Sequence, residues 1–188
     1  MFIQTEETPN PETLKFIPDG KTVAGNATIE FKNQQQASKK SPLAMQLFAI
    51  EGIESIFLGH DFITITKSSN KNWQYLKSEI QATILDFYLS GKPILFAETE
   101  NKTSDNVIED SDIVKQIKEL IEIKVRPSVA MDGGDIIFHS FENGIVYLVL
   151  KGSCSGCPSS SITLKNGIEN MLKHYIPEVE GVEQVSED

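Results

Sequence analysis

The run Glu98-Thr99-Glu100-Asn101-Lys102-Thr103-Ser104-Asp105-Asn106, continuing in similar vein to Asp110, is too polar and acidic to offset the entropy of ordering it. It therefore cannot lie inside a core, and it divides the 188-residue chain into two stretches, 1–96 and 111–188. The expected organisation is two small α+β domains joined by an acidic flexible linker, 97–110.

In the first stretch a strand is expected over residues 2–5. The turn Thr8-Pro9-Asn10-Pro11, whose prolines block helix and ladder alike, leads to a second strand over 14–17. Ser41 before Pro42 forms an N-cap and first-turn pair for a short helix carrying Leu43, Leu47 and Ile50, which Gly52 ends. Two β-rich runs, 53–58 and 62–66, flank Gly59-His60-Asp61 and predict a hairpin. Apolar residues at 73, 76, 80, 84, 87 and 88 then follow a helical period until Gly91-Lys92-Pro93. Leu43, Leu47, Ile50, Trp73, Leu76, Ile80, Ile84 and Phe87 are read as core.

The second stretch opens with Ser111 as cap of a helix carrying Ile113, Ile117, Leu120, Ile121 and Val125, with Pro127 expected to mark its end. Strands over 135–140 and 144–150 surround Glu142-Asn143-Gly144, and Asn-Gly tolerates the positive φ of a tight hairpin turn. After Gly152-Ser153-Cys154-Ser155-Gly156-Cys157-Pro158, the residues Leu164, Ile168, Met171, Leu172 and Tyr175 repeat helically up to Pro177. A short strand over 179–185 completes the unit.

Charge narrows the partners. The net charge is −10 and Arg126 is the sole arginine, with no basic run to replace phosphate counterions, so nucleic acid and anionic membranes are excluded as partners. No apolar stretch approaches the roughly 18–20 residues that cross a bilayer, and residues 1–7 do not read as a signal or transit peptide. Two cysteines spaced C-x-x-C do not make a disulfide framework; such a pair binds metal or does redox work.

Cys154 follows a strand, and Cys157 precedes Pro158 at a helix start. Unpaired N–H groups and the macrodipole there favour anions by roughly 0.3–1 kcal/mol, which suits thiolate ligands. Spacing alone leaves redox pair, zinc site and cluster site open. A thioredoxin-like fold needs two more strands and a helix after the pair, for which the chain is too short. Zinc would need His139 and His174, which lie outside zinc-finger spacing and read as satisfied surface or partly buried groups; zinc stays a minor alternative. An iron-sulfur cluster usually takes four thiolates, so two per chain call for a second chain or small thiols.

The segments Arg126-Pro127-Ser128-Val129-Ala130-Met131-Asp132-Gly133-Gly134-Asp135 and Gly152 through Ser160 resemble the carboxyl-terminal domain of NifU-like (Nfu) proteins. The first stretch is similar to the Nfu amino-terminal domain through Phe2-Ile3-Gln4-Thr5-Glu6, Thr8-Pro9-Asn10-Pro11, Leu14-Lys15-Phe16, Ser41-Pro42-Leu43-Ala44 and Gly59 to Thr66. The resemblance implies a non-enzymatic carrier. Such a protein holds a [4Fe-4S] cluster on Cys154 and Cys157 of two protomers as a homodimer, and passes it from an upstream assembly scaffold to apo client proteins. Because Met1 leads straight into the first domain, a bacterial cytoplasm is the expected location. Asp132 and Asp135 suggest a metal site, but Asp132-Gly133-Gly134-Asp135 is read as a turn needing positive φ, and Arg126 as a salt-bridge partner rather than a cluster counter-charge. The Thr8–Pro11 turn and the Gly59-His60-Asp61 loop are candidates for client contact.

Overall fold

In the computed structural model, residues 1–25, 28–96, 111–155 and 158–186 are described, with the backbone alone for 158–161. The chain divides into two compact units, Met1–Glu100 and Asn101–Asp188, both α+β. Residues 97–110, expected as linker, lie outside the described residues.

The first unit is a five-stranded antiparallel sheet of β1 (Ile3–Glu7), β2 (Thr13–Pro18), β3 (Ile29–Phe31), β4 (Ile53–Leu58) and β5 (Ile63–Lys67), in the order β1-β2-β5-β4-β3. Three helices complete it: α1 (Gln34–Lys40), α2 (Pro42–Leu47) and α3 (Trp73–Leu89). The helical period of α3 buries Leu76, Ile80, Ile84 and Phe87 against Phe16, Ile56, Ile63 and Ile65 of the sheet, in one apolar cluster with Leu43 and Leu47 of α2. Ser41 caps α2 as expected, accepting from the Ala44 N–H at 3.1 Å. That helix stops at Leu47, and Ile50 stays buried on the turn that follows.

Two elements were not anticipated. β3 adds to the sheet edge beside β4, and α1 buries only Ala37, so it lacks the apolar stripe that signals a helix. Its signal lies in capping: the Asn33 side chain accepts from Gln36 N–H at 2.9 Å, while the Gln36 side chain returns to Lys32 N–H at 2.9 Å.

The second unit places β6 (Gly134–Glu142), β7 (Ile145–Gly152) and β8 (Gly181–Gln184) in the order β6-β7-β8. β6 and β7 form an antiparallel hairpin, whose turn has φ of +50° at Asn143 and +79° at Gly144. β7 and β8 are parallel, which requires a crossover, and α6 (Pro158–Tyr175) provides it. Ile168 and Leu172 of α6 pack with Ile117, Ile121, Val125, Val129, Val146 and Leu148.

Pro127 does not end the first helix of this unit. α4 (Asp112–Leu120) passes through a π-helical turn, Ile121–Val125, into α5 (Arg126–Met131). A proline lacks the N–H of the helical ladder and its ring collides with the carbonyl four residues back. Widening the preceding turn, so that Arg126 N–H bonds to Ile121 carbonyl, lets Pro127 sit in the first turn of α5 instead.

Candidate functional site

The cysteine segment begins at the carboxyl end of β7, where the chain leaves a parallel strand for its crossover helix. Loops at that end of parallel strands recur as ligand sites because the following helix turns its free N–H groups toward them. α6 starts at Pro158, so the expected placement of a proline in the first helical turn holds. Cys154 is described; Cys157 and Gly156 lie outside the described residues.

Cys154 is 6% exposed and belongs to the apolar cluster of the unit. Its sulfur lies against the backbone of Gly134: a Cβ built on Gly134 would stand 2.9 Å from Cys154 Sγ and 2.6 Å from the Lys151 carbonyl oxygen. Gly134 faces Gly152 across the β6–β7 ladder, so two side-chain-free positions make room at the strand ends where the sulfur packs.

A second contact joins the segment to the turn after α5. Ser153 is 2% exposed; its N–H donates to Gly133 carbonyl at 3.2 Å and its hydroxyl to Asp132 carbonyl. The Ser153 hydroxyl oxygen is also 3.8 Å from Cys154 Sγ. Ser155 closes the turn locally, with N–H and hydroxyl both donating to Gly152 carbonyl, at 3.1 and 2.8 Å. Positive φ at Gly133 (+81°) and Gly152 (+67°) allows these two turns to meet. Ser153 and Gly134 were not singled out from sequence as neighbours of the sulfur. The facing pair of glycines at the ends of two predicted strands was the available signal.

Asp135 is turned to Arg126. It is 2% exposed and binds Arg126 through two parallel bonds, Nε to Oδ1 at 2.7 Å and Nη2 to Oδ2 at 3.0 Å, while Oδ1 also accepts from Ile136 N–H. Arg126 Nη1 donates to Glu122 at 2.8 Å. The hydrogen bond to Asp135 is the main cause that raises the Arg126 pKa above its ordinary value, against the opposing effect of burial, so the guanidinium stays charged. The expected salt-bridge role of Arg126 is thus the one the structure gives it, and this fork fixes the start of α5 to the start of β6, directly behind the Asp132–Gly133 turn that holds Ser153. Asp132 is exposed and contributes its carbonyl to Ser153.

Both histidines of the unit are at the surface. His139 is the extra residue of a bulge in β6, with Nδ1 3.3 Å from Ser140 Oγ, and His174 meets the Tyr175 ring edge-on at 5.0 Å. Among the described residues no three His, Cys, Asp or Glu side chains are grouped to hold a metal ion. No described helix is long and apolar enough to cross a membrane.

Comparison with known proteins matches residues 3–91 to "Scaffold protein Nfu/NifU N terminal" and residues 117–183 to "NifU-like domain". The chain is 55% identical over 189 residues to the human protein named NFU1 iron-sulfur cluster scaffold homolog, mitochondrial, covering all of this chain and 73% of that one. It is 50% identical to the protein of the same name from Drosophila persimilis, covering 66% of its length. The solution structure of a NifU-like protein from Saccharomyces cerevisiae aligns at 31% identity over 52% of this chain and 87% of that chain, with a TM-score of 0.47. The names of the first two contradict the expected bacterial cytoplasm. That expectation rested on where the sequence begins, which is not a physical property of the fold and carries no information on compartment.

Proposed function

Because the chain belongs to the Nfu/NifU scaffold family, we propose that it is an iron-sulfur cluster scaffold and carrier, not an enzyme, whose cargo is a [4Fe-4S] cluster ligated by Cys154 and Cys157 of two copies. The observation that carries this reading is the position of Cys154 between the carboxyl end of β7 and the start of α6, in a loop braced by the Asp132–Gly134 turn. Four thiolates complete such a cluster and each chain owns two cysteines, so twofold pairing of identical loops supplies the set. The scaffold names of the human and Drosophila relatives support the same role.

Cys154 is buried in the single chain, so loading turns its sulfur outward. Gly152, two residues before it and at positive φ, stands at the base of the segment that has to turn. Delivery proceeds by ligand exchange: each iron–thiolate bond to Cys154 or Cys157 is replaced by one to a client cysteine, and the cluster keeps its charge and oxidation level. The clients are apo iron-sulfur proteins, and the source is an upstream assembly scaffold. The polar 97–110 stretch serves as the tether between the units.

Anaerobic reconstitution with ferrous iron and sulfide tests the reading. The wild-type chain should turn brown and dimerise, and Cys157→Ser should lose both colour and metal-dependent dimerisation with circular dichroism unchanged. A colourless zinc-holding monomer, a reductase activity lost in Cys154→Ser, or unfolding of Cys157→Ser would overturn it.

A further inference from the structure

Among the described residues the sheet of the first unit has an open edge. β1 is the outermost strand beside β2, and the Asp19 N–H to Phe2 carbonyl bond at 2.9 Å sets the parity of the ladder. With Gln4 opposite Ile17 and Glu6 opposite Lys15, the even residues of β1 bond to β2, so the N–H and C=O groups of Ile3, Thr5 and Glu7 point away from the sheet. The Ile3 carbonyl is already taken by the Gln81 side chain of α3, at 2.9 Å. Among the described residues nothing bonds the outward groups of Thr5 and Glu7, which lie about 6.8 Å apart, the two-residue repeat of an extended chain.

Beside this edge runs a groove. One part, of about 490 Å³, lies among Thr5, Glu7, the Thr8–Pro11 turn, Leu14, Trp73 and Lys77. A second part, of about 570 Å³, continues along β1 to Gln81 and shares Thr5 and Lys77 with the first. The walls are braced without any ligand. Trp73 Nε1–H donates to Pro11 carbonyl at 3.1 Å, Asn10 Oδ1 accepts from Glu12 N–H at 3.0 Å, and the Thr8 hydroxyl bonds to Asn10 and Thr13 carbonyls. Thr5 and Glu7 project toward the same face as buried Ile3, the helix-covered face on which Trp73 and Lys77 stand.

We propose that the β1 edge is a docking site for an extended segment of another protein, which adds as a sixth strand. Its backbone pairs with Thr5 and Glu7, and its alternate side chains enter the groove, an apolar one against the Trp73 indole and an acidic one toward Lys77. Among the described residues Lys77 has no acidic partner, and the exposed Glu6 and Glu7 on the strand disfavour association of this edge with a second copy of itself. The segment is recognised by its extended backbone first and by alternate side chains second. This surface is separate from the cysteine loop and does not depend on what that loop binds.

The test uses the full chain and ten-residue peptides selected on it from a random phage-displayed library. Trp73 is the sole tryptophan, so its fluorescence reads occupancy directly. Binders should shift the amide resonances of Thr5 and Glu7 and the Trp73 indole. Thr5→Pro removes an outward N–H without removing a bond to β2, and should weaken binding at least tenfold with the thermal midpoint held. Should that variant unfold, the wild-type chain with backbone N-methylated peptides decides: methylation at alternate residues should abolish binding and methylation at the intervening ones should not. Failure to select any peptide that binds with a Kd below about 1 mM, binders that shift other residues, or affinity indifferent to Thr5→Pro or to the position of methylation would overturn the proposal.

Discussion

Substituting Gly134 by alanine tests the packing around Cys154 with one methyl group. The added Cβ would sit 2.6 Å from the Lys151 carbonyl oxygen, 2.9 Å from Cys154 Sγ and 3.3 Å from Cys154 Cβ. Gly134 does not adopt positive φ, so backbone strain adds nothing and the whole effect is steric. Part of the obstacle is backbone, which cannot swing aside as a flexible side chain can, so the β6–β7 strands must separate or the cysteine must move. Overpacking of this kind costs about 1–3 kcal/mol. In a unit of this size that lowers the midpoint by about 4–8 °C per kcal/mol. Calorimetry of the full chain reads it, with Trp73 fluorescence reporting the first unit as an internal control. Gly167→Ala is the opposite control: an alanine methyl there meets nothing within 4 Å on an exposed helical position, and should stabilise by about 0.5–1 kcal/mol. Equal midpoints for wild type and Gly134→Ala would refute the steric account.

Arg126→Gln leaves the 2% exposed Asp135 without its forked partner. Because the arginine side chain is itself 34% exposed, the loss should fall to roughly 1–3 kcal/mol, below the range for a fully buried pair, and should accompany faster amide exchange at Ser153. Stability of the first unit should fall between pH 10 and 12. Burial pushes the Tyr88 hydroxyl up to about 12, so its neutral form stabilises the fold fully below the unfolded value near 10, and that contribution disappears as pH rises through 12. Absorbance at 295 nm against pH should show one late-titrating tyrosine, absent in Tyr88→Phe, and the variant should lose part of the alkaline decline.

The α+β class was legible because its elements announce themselves by period and punctuation: α3 by the buried row Leu76, Ile80, Ile84 and Phe87, and the β6–β7 hairpin by Asn143-Gly144. α1 was not, since Ala37 is its only buried residue and a helix held by caps and neighbours leaves little apolar signal. Pro127 misled because proline breaks an α-helical ladder, whereas a π-turn one residue wider accommodates it. The cysteine pair was legible from its spacing, whereas only the two strand-end glycines hinted at the backbone that Cys154 packs against. Ser153 and Gly134 lie 19 positions apart, and only the pairing of β6 with β7 brings them to one sulfur.

Native mass spectrometry of the anaerobically reconstituted full chain tests most directly the proposal that two chains share one cluster. The expected species is two chains carrying about four iron and four sulfide, which reverts to single chains when the cluster is handed to an apo-protein or a chelator. A single chain that retains a whole cluster, or a dimer of unchanged stability once the metal is removed, would contradict it.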